Sequence, residues 1–160
     1  MKKSIVTYFS ASGVTAGVAK KLAEAAGADL YEIKPQVPYT KADLNWNDKQ
    51  ARSTVEMNDL AFRPPLADTA AGIENYDVVF IGFPIWWYIA PTIINTFLES
   101  YDFAGKTIVP FATSGGSGFG RTIAELKPSA AATAVWKEGE VLRGRLTSSD
   151  LEAWVESLHL

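Results

Sequence analysis

The stretch Asp77–Phe83, with the sequence DVVFIGF, is the strongest strand signal in the chain. A nearly continuous apolar run of this length is typical of a central parallel strand that is buried on both faces. On either side of it, apolar stretches at 5–9, 30–33, 107–112 and within about 131–142 alternate with helical patterns. This alternation predicts an α/β fold in three layers, with a doubly wound five-stranded parallel sheet between helices.

Apolar residues at helical spacing mark the faces that the helices are expected to bury. Gly27 is predicted to end the first helix, a short helix is expected before Pro128, and a capping box at Ser149 and Glu152 is predicted to begin the last helix. The expected buried residues are Val14, Val18, Leu22 and Ala25 in the first helix, Ile93, Ile94, Phe97 and Leu98 in the helix after Pro91, and Leu151, Trp154, Val155 and Leu158 in the last.

Residues 35–74 are polar, contain several prolines and are the least clear part of the sequence. A helix within about 40–57 is predicted, because Thr40 and Asp43 could cap it. Trp46 is its one large apolar residue. Whether the segment covers a ligand or carries a specificity loop stays open.

Composition narrows the classes of function. The 160 residues fit one domain, and the absence of cysteine excludes disulfides, thiolate nucleophiles and cysteine-ligated metals. A net charge of −3 gives no footprint for nucleic acid, and no apolar run approaches the roughly 20 residues of a membrane span. Because the N-terminus runs directly into a strand without a signal-like apolar region, we expect a cytoplasmic protein.

The loop after the first strand, Ser10–Thr15 (SASGVT), opens directly into a helix. Free N–H groups and the positive end of the helix dipole favour an anion at such a position, and Gly13 allows a close approach. Hydroxyl groups add neutral donors. Phosphate binding and simple helix capping by spare serines are both consistent with this loop.

Two further loops follow strands whose carboxyl ends should lie at the same edge. Pro84–Tyr88 (PIWWY) holds three consecutive aromatic residues, which cannot all face the core, so at least one could stack on a planar ring. Thr113–Gly118 (TSGGSG) begins a stretch with four glycines in six positions, where backbone groups could read the polar edge of a heterocycle. A partner interface, a second small core and a mobile linker are the alternatives.

The three loops together describe a site for a phosphate, a planar ring and a polar ring edge, which is the shape of FMN. Their sequences also resemble a known family. Tyr8–Thr15 is similar to the phosphate signature of flavodoxins, and Phe83–Pro91 and Phe111–Gly118 resemble the ring-binding loops of a bacterial flavodoxin-like subfamily. The resemblance covers essentially the whole chain as a single domain, 1–160, and implies the strand order 2-1-3-4-5.

The resemblance implies a role for each loop but no catalytic or metal-binding residue of the protein. Val14 stands where the family usually has Asn, and bulky aromatics replace a glycine near the flavin. The residues expected to cradle the FMN phosphate are Ser10, Ser12, Gly13, Val14 and Thr15; those expected beside the ring are Pro84, Ile85, Trp86, Trp87 and Tyr88; those expected at its pyrimidine edge are Thr113, Ser114, Gly115, Gly116, Ser117 and Gly118.

Two redox roles and two other classes of function stay open. The flavin could serve electron transfer with a redox partner protein, or an NAD(P)H-dependent reduction of a quinone or another small acceptor. A serine hydrolase would use Ser114 with Asp150 and His159, which follow in the chain order of a hydrolase triad. A flavin-free interaction module would keep only the fold.

Overall fold

The computed structural model describes residues 3–11, 13–45, 47–86, 89–113, 122–142 and 146–160. Its strands form one parallel sheet in the order β2-β1-β3-β4-β5, which confirms the predicted flavodoxin-like order. The strands are β1 Ser4–Tyr8, β2 Asp29–Glu32, β3 Val78–Pro84, β4 Thr107–Thr113, β5 Val135–Trp136 and β6 Glu140–Val141.

The last strand position differs from the prediction, because two short segments, β5 and β6, occupy it. Both pair with β4, but the register changes by one residue between them: Ile108 pairs with Trp136, and Phe111 pairs with Glu140. The Ile108 carbonyl accepts a hydrogen bond from this edge, as does that of Ala112. Pro110 lies between these two residues, and its backbone nitrogen faces the same edge. Because proline has no N–H to donate, the hydrogen-bond ladder between β4 and this edge is interrupted there.

The described residues also form five α-helices and three short 3₁₀ helices. Leu22 of the first helix and Leu151 of the last pack with Phe80 on one face of the sheet, whereas Ile94 packs with Ile81 on the other. This arrangement is the predicted three-layer fold. The helices are α1 Val14–Ala26, α2 Arg52–Met57, α3 Thr92–Ser100, α4 Thr122–Leu126 and α5 Ser148–Ser157, and the 3₁₀ helices are Ala42–Leu44, Ile73–Asn75 and Lys127–Ser129.

The predicted buried face of α1 is wrong at its first residue. Val14 is 62% exposed, and Thr15 is buried instead, together with Ala19, Leu22 and Ala23. In this first turn Thr15 faces the sheet, where its hydroxyl contacts that of Thr113 at the end of β4. Val14 lies about 100° around the helix from Thr15 and therefore faces away from the sheet.

The predicted capping box of α5 lies two residues earlier than expected. Thr147 is the N-cap, and its hydroxyl accepts from the Asp150 N–H at 3.1 Å, while the Asp150 carboxylate accepts from the Thr147 N–H at 2.9 Å. The earlier start places a full turn of helix ahead of the buried Leu151. Ser149 and Glu152 are exposed residues within the helix.

Two short helices lie within the range of about 40–57 in which a helix was predicted. The predicted pairing of Thr40 and Asp43 is present: the Thr40 N–H donates to the Asp43 carboxylate at 2.8 Å, and the Asp43 N–H donates to the Thr40 hydroxyl at 3.2 Å. These bonds precede the 3₁₀ helix Ala42–Leu44, and α2 follows separately. Trp46 lies outside the described residues.

Among the described residues, no helix is long and apolar enough to cross a membrane. The same residues contain no cluster of three or more His, Asp or Glu side chains that could hold a metal ion.

Candidate functional site

The carboxyl ends of β1, β3 and β4 meet at one edge of the sheet. Tyr8 pairs with Gly82 in the β1–β3 ladder, and the next residue, Phe9, donates its N–H to the Gly82 carbonyl at 2.9 Å. The Ile85 N–H donates to the Thr113 carbonyl at 3.2 Å. The three predicted loops therefore leave the sheet side by side, at the edge where open α/β sheets bind ligands.

The N-terminus of α1 lies at this edge and has no side-chain cap. Gly13 is the N-cap residue, with φ of 95°, and the first turn contains no acidic residue. The Gly13 N–H donates to the Ser10 hydroxyl at 3.0 Å, which tightens the loop before the helix. An uncapped helix start presents N–H groups and the positive end of the dipole to an external acceptor.

A buried hydroxyl pair joins the first loop to the third. The Oγ1 atoms of Thr15 and Thr113 are 2.7 Å apart, and both residues are buried. One hydroxyl donates to the other, so the second retains a hydrogen that can be donated to a ligand. The pair fixes the first turn of α1 against the end of β4.

A groove of about 270 Å³ begins at this helix start. One stripe of α1 forms one wall, and the residues around the start of α5 form the other. Lys21 provides a positive charge along the groove, which the sequence analysis missed. Lys21 lies seven residues after Val14, which places both residues on the same face of the helix. This spacing could have predicted a lysine on that face. The lining residues are Gly13, Val14, Gly17, Val18, Lys21, Leu146 and Leu151.

The second loop contains an antiparallel bridge between Trp86 and Ile89, which we call the aromatic hairpin. The Trp86 N–H donates to the Ile89 carbonyl at 2.9 Å, and the Ile89 N–H donates to the Trp86 carbonyl at 3.2 Å. Pro84 ends β3, and Pro84, Ile85 and Trp86 are half-buried. The bridge therefore lies directly after β3, at the predicted edge.

The Trp86 ring packs against two other aromatic residues. Its centroid lies 5.8 Å from that of Phe9 and 5.5 Å from that of Tyr39, both with edge-to-face geometry. Tyr39 belongs to the segment whose role the sequence left open, and no local sequence pattern indicates this contact.

The structure thus brings Ser10, Gly13, Val14 and Thr15 together with Thr113 and the start of the aromatic loop. The other predicted site residues lie outside the described residues, so their placement stays a prediction: Ser12, Trp87, Tyr88, Ser114, Gly115, Gly116, Ser117 and Gly118.

Comparison with known proteins identifies the family. The sequence model of the flavodoxin family matches residues 3–158. The chain belongs to the flavodoxin family. No curated protein sequence matches it significantly.

Solved structures agree with this assignment. A crystal structure of a "putative flavoprotein" from Bacteroides eggerthii DSM 20697 is 48% identical, with a TM-score of 0.92 over 100% of this chain and 99% of that one. A second from Bacteroides uniformis ATCC 8492 is 47% identical, with a TM-score of 0.89 over 97% and 98%. A flavoprotein from Lactobacillus acidophilus NCFM, crystallised in complex with FMN, shares the fold at 20% identity, with a TM-score of 0.72 and full coverage of both chains.

The hydrolase alternative fails on geometry as well as on family. Asp150 accepts the Thr147 N–H at the start of α5, whereas His159 follows the end of that helix. The helical rise separates the two by about 13 Å, far beyond the contact that a triad requires. Ser114 lies outside the described residues.

Proposed function

We propose that this member of the flavodoxin family binds FMN non-covalently at the carboxyl edge of its sheet and transfers electrons through it. The observation that carries the proposal is the uncapped N-terminus of α1, which contacts the end of β4 through the Thr15–Thr113 pair, next to the start of the second loop at Ile85. The complex of the Lactobacillus acidophilus flavoprotein with FMN supports the choice of ligand on the same fold.

The described residues fit the phosphate end of FMN. The α1 start supplies N–H donors without a competing acidic side chain, and the Thr15–Thr113 pair supplies a hydroxyl donor. Lys21 adds a positive charge along the adjoining groove. Neutral donors and a dipole bind a phosphate dianion without a buried ion pair. The proposed phosphate residues are Ser10, Ser12, Gly13, Val14 and Thr15.

The other two loops fit the ring. We propose that Trp86, Trp87 and Tyr88, after Pro84 and Ile85, stack on the isoalloxazine, and that Thr113–Gly118 hydrogen-bonds its polar edge. FMN supplies one- or two-electron redox chemistry when bound. The protein's residues bind the phosphate, orient the ring and exclude water from one face of it.

The first test is a titration of the purified protein with FMN and, separately, with riboflavin, followed by the visible absorption bands. A saturable shift with FMN and weaker binding of riboflavin are expected, because riboflavin lacks the phosphate that α1 would hold. Unchanged bands together with no FMN retained on gel filtration would contradict the proposal.

The electron donor decides between the two redox roles. Anaerobic addition of NADPH or NADH to the FMN complex bleaches the flavin directly if the protein is a reductase for a quinone or a similar small acceptor. Bleaching that requires a separate reductase protein indicates a shuttle between redox partners, which is the role we propose.

A further inference from the structure

Tyr39 is fixed at its hydroxyl and at one ring face. Its hydroxyl donates to the Glu56 carboxylate, and the Arg52 guanidinium lies over its ring, 3.8 Å from the centroid. The Arg52 Nε donates to the other Glu56 oxygen at 3.0 Å. Arg52 Nη1 donates to the Val37 carbonyl at 2.6 Å, so the arginine also anchors the backbone just before Tyr39.

The arrangement buries a charge near the protein surface. Glu56 is only 6% exposed, and its oxygens are taken by Tyr39 and Arg52. Buried ion pairs contribute little net stability because desolvation offsets the attraction, but they hold their members in one geometry. Burial and the Glu56 hydrogen bond raise the pKa of Tyr39, so its hydroxyl stays a donor at neutral pH.

The remaining edges of the Tyr39 ring contact the proposed FMN site. The ring lies 5.5 Å from Phe9, the residue before Ser10, and 5.5 Å from Trp86, the first residue of the hairpin. Phe9 and Trp86 also contact each other, so the three rings form a triangle at the carboxyl edge. Tyr39 is the member that comes from the long segment between β2 and β3.

We propose that Tyr39, held by Arg52 and Glu56, is a positioning residue that sets the orientation of Trp86 and thereby the affinity of the aromatic hairpin for the flavin ring. This inference rests on the proposed FMN function and assigns a role to the segment between β2 and β3. Tyr39 acts through Trp86 and needs no contact with the flavin.

The test compares two tyrosine–carboxylate pairs at opposite edges of the sheet. Tyr39→Phe removes the hydroxyl and keeps the ring, and Tyr39→Leu removes the ring as well. Tyr76→Phe is the matched control, because the Tyr76 hydroxyl donates to Asp29 at 2.6 Å at the amino edge, ahead of β3 and at the start of β2. Dissociation constants are measured for FMN and riboflavin, together with competition by inorganic phosphate against FMN.

We expect Tyr39→Phe to raise the dissociation constants of FMN and riboflavin by the same factor, about 3-fold, and Tyr39→Leu to raise both by about 10-fold. The competition constant of inorganic phosphate stays unchanged, since the phosphate binds at α1. Tyr76→Phe leaves all three constants at their wild-type values. A general loosening of the fold would instead weaken the binding of inorganic phosphate as well as that of the flavin ring.

Three results would overturn the inference. The first is a Tyr39→Leu variant that is folded, as judged by circular dichroism, and binds riboflavin as tightly as the wild type. This result would show that Tyr39 does not influence binding of the flavin ring. Equal weakening of flavin and phosphate reduces it to a structural residue. A wild-type protein that binds neither flavin overturns the proposed function and this inference with it, whereas the first two results leave FMN binding by the wild type intact.

Discussion

The two helices on one face of the sheet begin in opposite ways. At the start of α5, Thr147 and Asp150 satisfy each other's backbone N–H groups in a complete capping box. At the start of α1, Gly13 has no side chain, and no acidic residue lies in the first turn. The α5 start is complete within the chain, whereas the α1 start is open to an acceptor from outside. The difference separates a helix end built for stability from one available for an anion.

The largest effect is expected when α1 is given an acidic residue in its first turn, as α5 has. Val14→Asp changes a 62% exposed residue, so no core packing is lost. The carboxylate interacts favourably with the helix dipole and raises the free energy of unfolding of the FMN-free protein by about 0.5 kcal/mol. The same charge repels the phosphate and raises the dissociation constant of FMN by about 100-fold, or about 3 kcal/mol of binding free energy.

The matched control for this variant is Val14→Asn, which has similar size and no charge. It should bind FMN at least as tightly as the wild type, since its amide can donate to the phosphate. Chemical unfolding without ligand and an FMN titration measure the two opposite effects. If Val14→Asp binds FMN normally, the phosphate does not lie at α1.

Removal of the hydroxyl bridge beside the open helix start has the next largest effect. Thr15→Val leaves the Thr113 hydroxyl buried without its partner and removes a phosphate donor, so FMN binding should weaken by about 10-fold. Thr7→Val is the control, because the Thr7 hydroxyl is also buried and donates to the Phe80 carbonyl at 2.8 Å. Both variants should lose about 1–2 kcal/mol of stability in urea unfolding. Equal FMN affinities for the two would rule out a role for Thr15 in binding.

Damage to the complete capping box should affect stability alone. Thr147→Ala removes the acceptor of the Asp150 N–H and should lower the free energy of unfolding by about 1 kcal/mol. FMN affinity, measured by the same titration, should not change. A loss of FMN affinity in this variant would mean that the start of α5 belongs to the ligand site.

The lysine along the groove should contribute a smaller, salt-dependent effect. Lys21→Ala should weaken FMN by about 2-fold at low ionic strength, and the difference should vanish in high salt because solvent screens an exposed charge. Lys20→Ala, next to it and outside the groove, is the control. Equal titration curves for the two variants would place the phosphate beyond the reach of Lys21.

The capping box should also respond to pH. Hydrogen bonds from the Thr147 backbone and hydroxyl hold the pKa of Asp150 below its ordinary value of 3.8. The charged carboxylate therefore stabilises the folded state above about pH 4, and this contribution is lost as the pH falls through the folded-state pKa. Between pH 5 and 3, the melting temperature of the wild type should fall more than that of Asp150→Asn. Parallel melting curves would contradict this coupling.

The sequence predicted the elements whose signals are local. The apolar run of β3 predicted its burial, and the alternation of strands and helices predicted the doubly wound parallel sheet. The strand order was implied by the family resemblance. The exposed Val14 was missed because the buried residue of the first turn is the polar Thr15, about 100° around the helix from Val14, and an apolar pattern does not reveal it. The capping box was misplaced because Thr147 and Ser149 are each followed three residues later by an acidic residue.

The contact of Tyr39 with Trp86 could not have been predicted in this way. The two residues are distant in sequence, and Tyr39 lies in a polar segment without helical or strand periodicity. Only the packed structure shows that Arg52 and Glu56 hold it against the aromatic hairpin. The position of the three proposed ligand loops at one edge of the sheet was thus predictable from sequence, whereas the contacts that support one of them were not.

The interrupted edge at Pro110 has a consequence for the protein at high concentration. An exposed edge strand that is long and regular offers a template on which a second chain can add a strand. Here β5 and β6 contain two residues each and are out of step with one another. A neighbouring chain in register with one of them is out of register with the other, so this border of the sheet resists the strand-to-strand association that leads to aggregates.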